Sequence, residues 1–131
     1  MVQRHPAHER AIFWLQRVQH GSDEGYVAAH TIAELYAVLT TLAFRPILKP
    51  AIVREMIEHN VTSRMRVITL TQEDYKDIIT HLTDLSLIGG VTYDALIMWA
   101  AKKCGADQLM TLNPKDSRRV LPEMAEIVVV P

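Results

Sequence analysis

Three acidic residues, Glu34, Asp94 and Asp116, occupy the same kind of position along the chain. Each falls in the first turn of a helix that the local pattern predicts. Glu34 follows the short apolar stretch Tyr26-Val27-Ala28, Asp94 follows the Gly89-Gly90 break, and Asp116 follows Leu109-Met110-Thr111-Leu112. Clustered carboxylates bind hard cations such as Mg2+ or Mn2+. A cation so held activates water and screens the charge of a phosphate. The chemistry implied is metal-assisted hydrolysis of a phosphodiester.

Each acid has a structural reading beside the chemical one. Thr31-x-x-Glu34 matches a capping box, in which Glu34 only reaches back to the start of its helix. Asp94 complements the helix dipole, yet it shares a face with Ile97, Met98 and Ala101, and a carboxylate on an apolar face is costly unless paired or metal-bound. Asp116, three residues after Asn113, fits an Asn-capped turn. Type and spacing leave both readings open for all three.

The elements that would position these acids alternate. A helix from Pro6 to about Gln19 carries Ile12, Leu15 and Val18. Tyr26–Ala28 reads as a strand, followed by helices at about 32–43 and 51–59 bracketed by Pro46 and Pro50. Arg66–Leu70 is a β-branched strand. Gln72–Leu85 is helical with Tyr75, Ile78, Ile79 and Leu82 on one face. Tyr93–Lys103 is a helix apolar nearly all round, closed by Gly105. Leu109–Leu112 is a strand, Pro114 opens a helical turn, and Ile127–Val130 is the last strand. This order predicts an α/β fold with a mostly parallel sheet flanked by helices. Ligands then bind beyond the carboxyl ends of the strands, where loops distant in sequence converge.

The 131 residues suit a single domain spanning 1–131, and 49% hydrophobic content is enough for a core. A net charge of −1 rules out nucleic-acid binding through a whole-protein basic field. One cysteine, Cys104, excludes a disulfide framework and points to the cytoplasm. Its alanine neighbours suggest a packed thiol. No apolar run has the length of a membrane span.

Three segments carry a family resemblance: Ala28-Ala29-His30-Thr31-Ile32-Ala33-Glu34-Leu35-Tyr36-Ala37-Val38-Leu39, then Gly89-Gly90-Val91-Thr92-Tyr93-Asp94-Ala95-Leu96-Ile97, then Thr111-Leu112-Asn113-Pro114-Lys115-Asp116. With the opening His5-Pro6-x-His8-Glu9-Arg10-Ala11, the chain from His5 to Val130 resembles a PIN domain of the VapC toxin type. The resemblance implies a three-layer α/β fold and a Mg2+- or Mn2+-dependent endoribonuclease. Glu34, Asp94 and Asp116 match its metal-binding acids, and Asn113 and Thr111 sit at supporting positions of the last loop. It also implies an RNA substrate, an antitoxin partner and a homodimer. Two features depart from the pattern. Nothing in the sequence supplies the usual first, central strand ending in Asp-Thr-Asn or Asp-Thr-Ser, and Ser117 stands where an aromatic residue is usual. A catalytically impaired module acting through dimerisation or antitoxin binding is therefore the competing expectation.

Several other residues invite attention. Arg118 and Arg119 are candidate phosphate contacts or a solvated face. Gly89-Gly90 lacks the pattern of a phosphate loop and reads as a tight turn. His5 and His8 read as exposed, and His30 as a support near the acids. Trp14 and Trp99 fit a core. Leu35, Leu39 and Leu42, or Ile52, Met56 and Ile57, fit either a dimer face or internal packing.

Overall fold

The structure, a computed structural model, describes residues 23–41, 48–111 and 114–130. The first predicted helix, with His5, His8 and Trp14, lies outside the described residues, as do Leu42, Leu112 and Asn113.

Strand β1, Tyr26–Ala28, leads directly into helix α1, Ala29–Thr41. Helix α2, Pro50–Ile57, starts with proline in its first turn, where the missing N–H costs nothing, and continues as a wider π-type turn over Glu58–Thr62. Strand β2, Arg66–Ile68, pairs in parallel with β1, Val67 opposite Val27. Helix α3, Gln72–Asp84, opens with a complete capping box between Thr71 and Asp74. Helix α4, Val91–Cys104, is followed by β3, Leu109–Met110, and α5, Pro114–Val120. A 3-10 turn, Pro122–Ile127, leads to β4, Val128–Val129, which pairs in parallel with β3. The α/β class and the parallel pairing match the sequence pattern. Within the described residues the strands form two separate pairs, β1–β2 and β3–β4.

Helices α3 and α4 end in the same way. In each, the chain passes through a left-handed residue, Ser86 at φ 54° and Gly105 at φ 66°. The amide of that residue bonds back to Thr83 or Lys102, and the next amide bonds to Leu82 or Ala101. This double return is the Schellman motif. Its apolar partner follows in both cases, because Leu87 and Ala106 pack against the core.

The main core lies between α3, α4, α5 and the β3–β4 pair. It contains Ile78, Leu82, Val91, Ala95, Leu96, Met98, Leu109, Val120 and Val128. Helix α4 is buried along most of its length, as its composition predicts. A ring nitrogen of His81 also meets the Val120 carbonyl, tying α3 to the end of α5. A second, smaller cluster joins α1 to α2 through Leu39, Val53 and Ile57, with Leu35 against it. That internal packing accounts for Leu35, Leu39 and Ile57 without a partner chain.

Three expectations need correction. Helix α1 begins at Ala29 rather than near Ile32, so Thr31 lies inside it and cannot cap it. Glu34 therefore belongs to the second turn, and the capping-box explanation for it disappears. The predicted apolar face of α3 is only half used: Ile78 and Leu82 are buried, but Tyr75 and Ile79 are exposed. The strands are also shorter than their apolar runs, because Thr69, Leu70 and Val130 lie beyond the paired positions.

Candidate active site

Asp94 stands in the first turn of α4 and Asp116 in the first turn of α5. The two helices pack together through the main core. Glu34 comes from α1, the helix that follows β1. Asp94 is half-buried, and its carboxyl is pushed above the ordinary carboxylate range, first by burial, then by the charge of Asp116, then by that of Glu34. Asp94 therefore lies within electrostatic reach of both Asp116 and Glu34. Among the described residues, however, no three carboxylate, imidazole or thiolate groups are close enough to hold one ion between them. The arrangement is a loose convergence rather than a closed cage.

Two of the acids have distinct side-chain neighbours. Glu34 Oε1 lies 3.3 Å from Nε2 of His30, one turn earlier on α1. That nitrogen is buried and makes no aligned hydrogen bond. Burial holds the His30 pKa below the usual imidazole value, and the Glu34 charge opposes it. Asp116 Oδ1 meets Nη1 of Arg119 at 3.3 Å, one turn later on α5. Arg118 points elsewhere, its guanidinium donating to the Val128 carbonyl at 3.4 Å. Neighbours in sequence on a helix point about 100° apart, so the two arginines part company: Arg119 belongs to the site, while Arg118 ties α5 to β4. The amide of Thr111 donates to the Val129 carbonyl at 3.0 Å, which places Thr111 at the carboxyl end of β3.

A pocket of about 540 Å3 opens beside these groups, lined by Ser86, Leu87, Ile88, Gly90, Val91, Asp94, Asp116 and Arg119. Its lining combines charged side chains with the apolar Leu87, Ile88 and Val91. Glu34 is not part of the lining. The apolar part of the lining carries no motif in the sequence, where only Gly89-Gly90 reads as a turn. The available signal was an Ile placed in a loop, directly before two glycines.

The donor set fits a hydrated divalent ion. Mg2+ typically keeps several waters and is bound by one or two carboxylates, with substrate phosphate completing the shell. Asp94 and Asp116 line one pocket, and a cation there would offset the charge of Asp116 that acts on Asp94.

The chain matches the PIN domain family over residues 1–120. Two proteins named Ribonuclease VapC40, from Mycobacterium tuberculosis strains CDC 1551 / Oshkosh and ATCC 25618 / H37Rv, are each 32% identical to it over 105 residues. The match covers 80% of this chain and 72% of each relative. No solved structure matches significantly.

Proposed function

The chain belongs to the PIN domain family, and on that premise we propose that it is a VapC-type ribonuclease that hydrolyses RNA phosphodiesters with the help of a divalent cation, Mg2+ or Mn2+. The observation that carries the reading is the match to the PIN domain over residues 1–120, and the influence of the Asp116 and Glu34 charges on Asp94 supports it. The relatives named as ribonucleases support it.

In this reading Asp94 and Asp116 hold the ion, and Glu34, braced by His30, acts at the edge of the site. A divalent ion bound there would supply an activated water and screen the phosphate. Arg119 lies beside the acids and offers the guanidinium that a phosphate oxygen needs. Thr111 supports the last loop from the end of β3, and Asn113 takes the supporting role that the resemblance implies. Arg118 contributes to packing rather than to RNA binding. Cytoplasmic location, an antitoxin partner and a homodimer complete the proposal, with the whole chain acting as one domain.

Asp94→Asn should abolish RNA cleavage in Mn2+. The loss should exceed the roughly 10–100-fold that removing an outer-shell partner costs at a metal site. Equal rates for the two proteins would end the nuclease reading.

One observation favours a second reading, an impaired module that acts through dimerisation or antitoxin binding: no three such groups among the described residues are poised on one ion. Calorimetry with Mn2+ near neutral pH separates the two. Binding that Asp94→Asn removes supports the nuclease, and no binding supports the impaired module.

A further inference from the structure

The apolar wall of the pocket has no role in holding a cation. Leu87 and Ile88 connect α3 to α4, and Val91 opens α4. Leu87 and Val91 belong to the core side, whereas Ile88 is 88% exposed. An isolated exposed apolar side chain needs no explanation. Ile88 differs because its backbone is fixed and because it lines the same pocket as Asp94, Asp116 and Arg119.

The fixing comes from both sides. Before Ile88, the Schellman motif at Ser86 pins Leu87 inward through the bond from its amide to Leu82, 2.9 Å long. After it, Gly89 takes a left-handed φ of 75°, and the amides of Thr92 and Tyr93 bond back to Gly89 and Gly90. With Leu87 turned into the core and Gly89 turning the chain, Ile88 is left on the rim. The same pocket is also lined by Asp94, Asp116 and Arg119.

We propose that this pocket takes an unpaired RNA base next to the scissile phosphate, with Ile88 as its apolar wall. The proposal rests on the ribonuclease reading above and adds a substrate feature to it. The charge pattern matches a nucleotide: Arg119 and a cation on the acids answer the phosphate, and the apolar side answers the flat face of the base. Sites that read single strands work in this way, pairing a charged track for the backbone with apolar or aromatic surfaces for splayed-out bases. The pocket volume lies within the roughly 300–1,000 Å3 typical of ligand sites. A base held in a duplex would first have to be unpaired and unstacked, so the pocket favours RNA that is already single-stranded.

The test measures binding, so it does not depend on cleavage. In an Asp94→Asn background with Mg2+, fluorescence anisotropy compares a short mixed-sequence single-stranded oligoribonucleotide with the same backbone lacking its bases. Ile88→Ser should weaken binding of the base-bearing strand about tenfold and leave the abasic strand unchanged. Ile88→Tyr, which supplies a flat aromatic surface, should bind the base-bearing strand at least as well as the unaltered residue. Equal losses on both strands, or no loss on either, would overturn the base pocket; the latter would leave the rim to a polypeptide partner. Cleavage assays on the wild-type and Ile88→Ser chains then separate the two proposals. Absent cleavage with Ile88-dependent binding removes the nuclease and keeps the pocket. Vigorous cleavage that is indifferent to Ile88 removes only the pocket.

Discussion

Helices α1 and α4 are almost equal in length, 13 and 14 residues, and each carries one acid of the candidate site. They are embedded very differently. Helix α4 buries Val91, Ala95, Leu96, Met98, Ala100 and Ala101, whereas α1 buries Leu39 alone. Asp94 therefore stands on the best-packed element among the described residues, beside Asp116 on the adjoining α5. Glu34 stands on an element held by the small α1–α2 cluster, with Tyr36 and Val38 in solvent. Precise sites need support from packed neighbours. The difference teaches that the Asp94–Asp116 half is built in advance, while the Glu34 half takes its position from a weaker contact.

The largest effect should come from cutting into the better-packed region. Met98 is fully buried, so Met98→Ala should cost about 2–5 kcal/mol by removing side-chain contacts and leaving a cavity. Ile57→Ala in the small cluster should cost about 2 kcal/mol, the lower end of the same range, because that site is smaller and collapses more easily. Urea midpoints measure both. Hydrogen exchange should show α1 and α2 opening well before α4. Equal costs, or equal protection of the two helices, would break the contrast.

The two halves were also unequally legible in the sequence. The burial of α4 followed from its composition, and the partly buried Asp94 followed from its apolar neighbours Ile97, Met98 and Ala101. Gly105 announced the end of α4. The start of α1 was hidden, because Ala29 and His30 carry no capping signal and Thr31-x-x-Glu34 mimicked one. Periodicity marked Tyr75 and Ile79 as a face but could not say whether anything covers it. Nothing in the letters distinguishes Arg118 from Arg119; only the rotation of α5 assigns one to β4 and the other to the pocket. Ser86 is opaque for a similar reason, since a left-handed serine looks like any other loop serine. The acid set itself stayed ambiguous by spacing alone, and the resemblance to a family selected among the readings.

Intermediate effects lie at the two matched helix ends. Gly105 has nothing within 4 Å of where a Cβ would stand, so Gly105→Ala carries only the cost of a left-handed backbone, about 1 kcal/mol. Ser86→Gly should do the reverse. It relieves about the same strain but adds freedom to the unfolded chain, worth about 0.4–1 kcal/mol. The net gain should be at most about 0.5 kcal/mol, read as a slightly higher urea midpoint. A loss of stability in Ser86→Gly would mean that the Ser86 side chain itself holds the α3–α4 connection, and the two ends would no longer be equivalent.

The smallest effect concerns Asp94 itself and sharpens the contrast from the side of charge. Its carboxyl is raised by burial and by Asp116 and Glu34. Well below the ordinary carboxylate pKa, the folded and unfolded chains both keep this proton, and the charge of Asp94 has no effect on stability. As pH rises through the window between the ordinary and the raised value, the unfolded chain releases the proton first. Folding stability therefore falls across that window and stays lower above it. Asp94→Asn removes this penalty, so at neutral pH in a chelator its Tm should lie slightly above that of the wild type, although its cleavage is lost. The gap should close as the pH is lowered through the window. Added Mg2+ should raise the Tm of the wild type more than that of the variant, because the ion answers the same repulsion. A gap that ignores pH would mean that packing, not crowded negative charge, sets the behaviour of Asp94. The buried half of the site would then lose the electrostatic character that distinguishes it from the half carried by α1.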